Sequence, residues 1–311
     1  MSTWPPTAPC TPGDCATRHG PPAGPATAAG RLVAGCALVL AGALLTPLLA
    51  PLGAAVRDRL TRRWCRTVLR AFGLRVDVRG AETARPARGT GVLVVANHIS
   101  WLDIPLLAAV FPARMLAKSE IGRWPVLGAL AARGGTLFVE RDRPRALPGT
   151  VRTLAAALTA GSRVAAFPEG CTWCGRDQGR FTRAVFQAAL DAGAAVRPVR
   201  ITYRAARGTP SGAPAYVGDD TLLASLWRVV TAGGLTAEIT VLPLIPAGRH
   251  TDRRALAAAA RSAVTGGAAE RWDPVPGQTA VASDSANRSA PSVHQCLNSI
   301  PAPASSSRTR S

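Results

Sequence analysis

The chain has 311 residues and a formal net charge of +19 at pH 7, from 37 Lys plus Arg against 18 Asp plus Glu. Lys118 is the only lysine; the remaining positive charge is arginine, which rises with Ala, Gly and Pro under a GC-rich coding bias but still makes a surface that attracts anionic lipid or nucleic acid. Nucleic acid is the poorer partner, because no helix-turn-helix, zinc-finger or aromatic stacking pattern accompanies the arginines. The seven cysteines, Cys10, Cys15, Cys36, Cys65, Cys171, Cys174 and Cys296, are odd in number and irregular in spacing. That argues against a disulfide framework and suits a reducing compartment.

Residues 1–30 are rich in Pro, Gly, Ala and Thr, with too little apolar surface to offset the entropy of ordering, so a disordered head is expected. Leu32 to Val56 carries no charge and exceeds the about 20 residues that a bilayer-crossing helix needs. Pro47 and Pro51 argue against one straight helix. The long Pro-rich stretch ahead of it does not suit a signal peptide; a buried helical hairpin of a soluble domain stays open. Val56, Leu60, Trp64, Val68 and Phe72 then recur every four positions, with Arg57, Arg59, Arg62, Arg63, Arg66 and Arg70 over much of the remaining surface. This predicts an amphipathic basic helix lying on anionic headgroups, or a helix with a solvated face packed on its own domain. On the first reading residues 31–73 are a membrane-binding unit, and the arginines place this side in the cytoplasm.

Residues 74–273 hold the globular domain. Leu74–Val78 alternates like a strand, and Gly91–Ala96 is a short continuous apolar run, as in a strand buried on both faces. A helix is expected over Trp101–Phe111, a short strand over Met115–Lys118, and a helical stretch capped by Ser119 and interrupted at Pro125. Thr136–Glu140 and Arg163–Phe167 read as strands, Val151–Ala160 and Phe181–Ala192 as helices ending at Gly161 and Gly193. Val196–Tyr203 and Ala237–Ile245 complete the strands. Alternation of this kind implies a layered α/β domain. Residues 274–311, rich in Ser, Ala, Pro, Gln and Asn, are expected to be a disordered tail.

Four blocks carry possible chemistry. His98 directly follows a buried strand, and Asp103 stands five residues on. On one continuous helix the two would diverge; they meet only if His98 lies in the turn and Asp103 in the first helical turn. A neutral imidazole there could take a proton from a substrate hydroxyl while the carboxylate held its other nitrogen. The second block runs from Gly135 to Glu140-Arg141, whose guanidinium fork suits a phosphate but could equally be half of an ordinary surface pair. Phe167-Pro168-Glu169-Gly170 is a tight turn after a strand, and Val196-Arg-Pro198-Val199 puts a proline at a strand start or edge. Cys171-Thr-Trp-Cys174 reads as structural or incidental ahead of redox or metal binding, as no second Cys or His pair stands near it in sequence.

In this order the four blocks resemble those of the glycerolipid acyltransferases of the lysophosphatidic acid acyltransferase (PlsC-like) type, across residues 74–205. The resemblance implies a layered mixed sheet flanked by helices, preceded by a membrane-binding helical hairpin. It makes His98 the catalytic base and Asp103 its partner, assigns Gly135, Arg141, Glu169 and Gly170 to acceptor binding, and links Pro198 to the acyl-donor side. Asn97, Lys118 and Thr172 join these as candidate substrate contacts. The implied donor is acyl-CoA or acyl carrier protein, with no metal or other cofactor, at the cell membrane with the catalytic domain cytoplasmic. The expected acceptor is 1-acylglycerol-3-phosphate; another lysolipid such as lyso-ornithine lipid is the alternative. The family usually has Thr or Ser where Cys171 stands, and a thiol is a poor donor to a phosphate. A thioesterase is the other chemical reading, with Ser100 close to His98, although no Gly-x-Ser-x-Gly elbow is present. A non-catalytic membrane-binding protein would not need His98, Asp103, Glu169 and Arg141 together.

Overall fold

The computed structural model describes residues 8–17, 20–80, 91–140 and 144–266. Its centre is a seven-stranded sheet of order β1-β7-β6-β2-β5-β3-β4. The strands are β1 (Arg75–Arg79), β2 (Val92–Ala96), β3 (Arg114–Lys118), β4 (Leu137–Val139), β5 (Arg163–Ala166), β6 (Ala195–Arg204) and β7 (Thr236–Val241). Neighbours run parallel except β6 and β7, so the sheet is mixed.

Every residue of β2 is buried, which explains its unbroken apolar run: helices cover both faces of the sheet. Its alternate residues enter different cores. Val92, Val94 and Ala96 pack with α3 (Ala54–Ala71), α4 (Asp103–Ala108) and α8 (Leu222–Val230). Leu93 and Val95 pack with α6 (Leu147–Thr159), α7 (Ala184–Asp191) and α9 (Arg253–Thr265). The stretch after β3 begins as a 3₁₀ turn, Ser119–Arg123, before α5 (Leu127–Arg133). Helices α8 and α9 add to the expected elements. Leu222, Leu226, Val229 and Val230 recur at helical spacing in α8, and both helices are capped: Thr221 accepts from the N–H of Ala224, and Asp252 from those of Arg254 and Ala255.

The head departs from expectation. Residues 8–17 and 20–30 pack on the domain, with α1 (Pro12–Cys15) and the start of α2 (Pro25–Leu45). Cys10, Ala16 and Ala28 are buried, and the Ala23 N–H donates to Thr231 O at 2.8 Å. Large apolar side chains are not required because glycines receive the backbone directly. A Cβ on Gly212 would sit 2.1 Å from Cys15 O, and one on Gly233 2.2 Å from Pro21 O. The expected tail, 274–311, lies outside the described residues.

Helices α2 and α3 form a hairpin, joined through a 3₁₀ turn at Thr46–Leu49. Gly35 and Gly42 let it close: a Cβ at either would stand 2.2 Å from the Phe72 ring or 2.3 Å from the Trp64 ring. The Trp64 indole N–H also donates to Leu38 O at 3.1 Å. The four-residue stripe of α3 divides in function. Val68 and Phe72 are buried against the domain, whereas Val56 and Leu60 are 43% and 40% exposed. They join exposed Leu40, Leu44, Leu45 and Leu48 toward the hairpin tip. Arg57, Arg59, Arg63, Arg66 and Arg70 are exposed. The helical segment Pro25–Leu49 contains an 18-residue window of mean hydropathy 2.3, 11% of it buried, so it is long and apolar enough to cross a membrane.

Candidate active site

Strands β2, β3, β4 and β5 all run parallel, so the residues that follow each of them collect at one edge of the sheet. Ligands of open α/β sheets bind at that carboxyl edge. His98 follows β2, Lys118 ends β3, Glu140 follows β4, and Phe167 to Gly170 follow β5.

His98 occupies the turn and Asp103 opens α4. His98 Nδ1 lies 2.8 Å from Asp103 Oδ2. The same oxygen accepts the backbone N–H groups of Ile99 and Ser100 at 2.6 and 2.8 Å. Asp103 Oδ1 accepts the Tyr203 hydroxyl at 2.6 Å. Asp103 is fully buried, and these donors replace its lost hydration. Burial, and then the charge of Asp103, push the Tyr203 hydroxyl well above its ordinary pKa, so it stays a donor. An acidic partner at Nδ1 fixes the ring proton there and leaves Nε2 with its lone pair. The Phe167 ring stacks on the imidazole, centroids 4.0 Å apart and planes at 12°.

Behind the histidine stands Glu169. Its Oε2 accepts the His98 backbone N–H at 2.7 Å, and its Oε1 accepts that of Gly179 at 2.9 Å. Burial raises the carboxyl to about 8, against the lowering effect of those two bonds. On the other side the Trp173 backbone N–H donates to His98 O at 2.7 Å. The His98 turn is therefore held at both its N–H and its carbonyl.

His98 opens into a groove of about 2190 Å³ between the hairpin and the domain. Its walls include Leu45, Leu60 and Trp64 from the hairpin and Ile104, Leu127 and Leu130 from the domain. Lys118, Gly135, Gly170, Cys171 and Thr172 also line it. This arrangement sets an imidazole nitrogen able to accept a proton at the side of a largely apolar groove.

Several expected contacts have other work. Asn97 is buried, and its side-chain amide donates to Ile201 O at 2.9 Å while its Oδ1 accepts from Ile201 N at 2.8 Å. Its polar atoms clamp β2 to β6 and do not reach the groove. Glu169 is likewise turned to backbone, 1% exposed, so it acts through the position of His98. The Thr172 hydroxyl donates to Tyr216 O. Gly135 has φ +74 in the turn from α5 to β4, a conformation natural to glycine, and its carbonyl accepts Arg114 Nε at 2.8 Å. Gly170 has φ +81 in the tight turn after β5. Pro198 is buried within β6, which has neighbours on both sides, instead of starting or edging the sheet. Between the pairs Val199–Val241 and Val196–Ile245 the opposing chain has an extra residue, and Pro198 sits at this bulge, where its missing N–H is tolerated. Arg141 lies outside the described residues. Ser100 is fully buried, and its Oγ accepts the Leu102 N–H at 3.3 Å, a place unsuited to a nucleophile.

Tyr203, Phe167 as a ring platform and the Glu169–His98 backbone bond were not evident as site features from the blocks alone. One signal was present for Tyr203: a tyrosine on a buried strand must find a partner for its hydroxyl.

Residues 75–202 match the family model described as Acyltransferase. A lyso-ornithine lipid O-acyltransferase of Pseudomonas aeruginosa is 39% identical over 225 residues, covering 72% of this chain and 81% of that protein. A 1-acyl-sn-glycerol-3-phosphate acyltransferase of Neisseria gonorrhoeae is 40% identical over 179 residues, 57% of this chain and 70% of that one. Among solved structures, the 1-acyl-sn-glycerophosphate acyltransferase PlsC of Thermotoga maritima superposes with a TM-score of 0.55 at 18% identity, covering 78% of this chain and 100% of that chain, a likeness of fold.

Proposed function

The chain belongs to the acyltransferase family, and on that premise we propose that it esterifies the free hydroxyl of a lysolipid, with His98 as general base. The observation that carries this reading is the His98–Asp103 pair, 2.8 Å apart, with the imidazole opening into an apolar groove. The acceptor hydroxyl gives its proton to Nε2 as its oxygen attacks the thioester carbonyl carbon of acyl-CoA or acyl carrier protein. Asp103 stabilises the imidazolium that forms. When the tetrahedral intermediate collapses, the carbon–sulfur bond breaks and the imidazolium returns the proton to the departing thiolate. The products are an ester and a free thiol, and the chemistry needs neither a metal nor a protein nucleophile.

The acceptor proposed first is 1-acylglycerol-3-phosphate, with Lys118 in the groove as a cation for its phosphate. Lyso-ornithine lipid is the second reading, and a specific feature favours it. In the third block Cys171 is a weak donor and the Thr172 hydroxyl already donates to Tyr216 O, so that turn offers little to a phosphate from its side chains. The two acceptors share one mechanism and differ only in headgroup.

The hairpin is proposed to dip into the cytoplasmic leaflet of the cell membrane and return. Both its ends are tied to the domain, by Arg31 donating to Val230 O and Ala232 O and by buried Val68 and Phe72. Its apolar tip would enter lipid, and the exposed arginines of α3 would meet anionic headgroups at about 1 kcal/mol each. The partners on this reading are membrane lipid and the acyl donor, with no nucleic acid.

The test offers purified protein a panel of lysolipids with acyl-CoA or acyl carrier protein and identifies the product by mass spectrometry. Phosphatidic acid without free fatty acid is expected. Acylated ornithine lipid would select the second acceptor, and free fatty acid as the sole product would replace transfer by hydrolysis.

A further inference from the structure

Away from the groove, three thiols meet. Cys10 and Cys15 come from the head, and Cys174 from the loop that follows the Glu169-Gly170 turn. Their sulfurs all lie within 4.8 Å of one another, two buried and the third half-buried. The two cysteines of the Cys-x-x-Cys part company: Cys171 lines the groove, and Cys174 meets Cys10 and Cys15 across the fold. Thiols also serve as small apolar filling, but here backbone on both sides is shaped to bring them together. A Cβ on Gly218 would lie 3.1 Å from Cys10 O, and one on Gly212 2.1 Å from Cys15 O. Gly175, next to Cys174, turns the loop at φ +88.

We propose that Cys10, Cys15 and Cys174 bind a Zn²⁺ ion through three thiolates, with water in the fourth position. Sulfurs bound at about 2.3 Å in a tetrahedron stand about 3.8 Å apart, so the three need to close by no more than about 1 Å. Thiolate is the donor that zinc and other soft ions select. As each sulfur–zinc bond forms, the corresponding S–H proton leaves to solvent, and no electron changes hands. Because each bound sulfur must be a thiolate, binding is stronger as pH rises. Arg176 donates to Thr17 Oγ1 at 3.3 Å across the same junction, supplying positive charge near a site left with a net negative charge. The loop concerned also gives the Trp173 backbone N–H to His98 O, so the ion would fasten the head to the strap that holds the histidine turn. Nothing in acyl transfer passes through it, and its failure leaves the proposed reaction untouched.

Full-length protein is purified under reducing conditions with Zn²⁺, dialysed and analysed for metal, beside Cys10→Ser, Cys15→Ser, Cys174→Ser and Cys36→Ser. Substitution by Co²⁺ then reads thiolate-to-metal charge transfer and tetrahedral d–d bands. Wild type and Cys36→Ser are expected to hold about one ion per chain, and each cluster variant to bind at least about tenfold more weakly. Zinc should raise the wild-type Tm and not that of the variants. Cys15→Ser, at the half-buried position, keeps the test open should the buried variants fail to fold. Wild type without bound zinc, no thiolate–cobalt band, metal retained by the folded variants, or a disulfide among the three cysteines in freshly isolated protein would each overturn the proposal.

Discussion

The Asp103 carboxyl group is 0% exposed, with four donors around it and no Arg or Lys paired with it among the described residues, so the site depends on dipoles from its own turn and on Tyr203. Removing one donor leaves the others and shows what each contributes. Tyr203→Phe should cost about 1–3 kcal/mol of stability, the penalty for an under-bonded buried group. It should also lower kcat while leaving the KM for lysolipid nearly unchanged, because Tyr203 does not line the groove. Denaturant unfolding and steady-state kinetics read the two effects. Lost stability with unchanged kcat would make Tyr203 a packing residue only. Glu169 gives a prediction in pH. Its folded-state pKa is raised, to about 8 from 4.5, so between those values the folded protein holds a proton that the unfolded chain has released. The associated stability is present below about 4.5 and is lost as pH rises to about 8. Glu169→Gln should flatten the fall over that window, as measured by Tm against pH; an unaltered slope would place its origin elsewhere.

At the scale of elements, the hairpin shows how a single helix serves two surroundings. The lower part of α3 belongs to the domain core and its upper part, with the end of α2, is an exposed apolar tip. The period of four in the sequence marked the stripe but could not divide it, since periodicity reports which face is apolar and not what covers it. Nor did it reveal the closeness of α2 and α3, which rests on two glycines opposite two aromatic rings. Leu44 and Leu48 are 68% and 67% exposed. Replacing each by Ser should weaken binding to anionic vesicles by about tenfold or more, the equivalent of about 1.5–3 kcal/mol of apolar burial lost. The Tm should hardly move, because neither side chain is packed. Co-sedimentation measures this, and unchanged partition of the double variant would mean that the tip does not enter lipid.

Across the whole molecule, what could be read from the sequence was the local part. The run Val92–Ala96 announced a strand covered on both faces, and the residues that end or follow β2, β3, β4 and β5 collect at one edge because those strands are parallel. What depends on distant contact was hidden. Tyr203 meets Asp103 from 100 residues away, and Asn97 reaches Ile201 from 104. The cysteines of the head find Cys174 only in three dimensions, and the head itself docks through glycine gaps that composition cannot show. The scales meet at one imidazole: a fold that gathers strand ends sets His98 in the groove, where it is proposed to act as the base. That role is tested most directly by His98→Ala, assayed for ester formed from lysolipid and thioester, with folding checked by Tm. The expected result is a fall in kcat of about 10²–10⁴-fold with the fold retained. Wild-type turnover in the folded variant would contradict it.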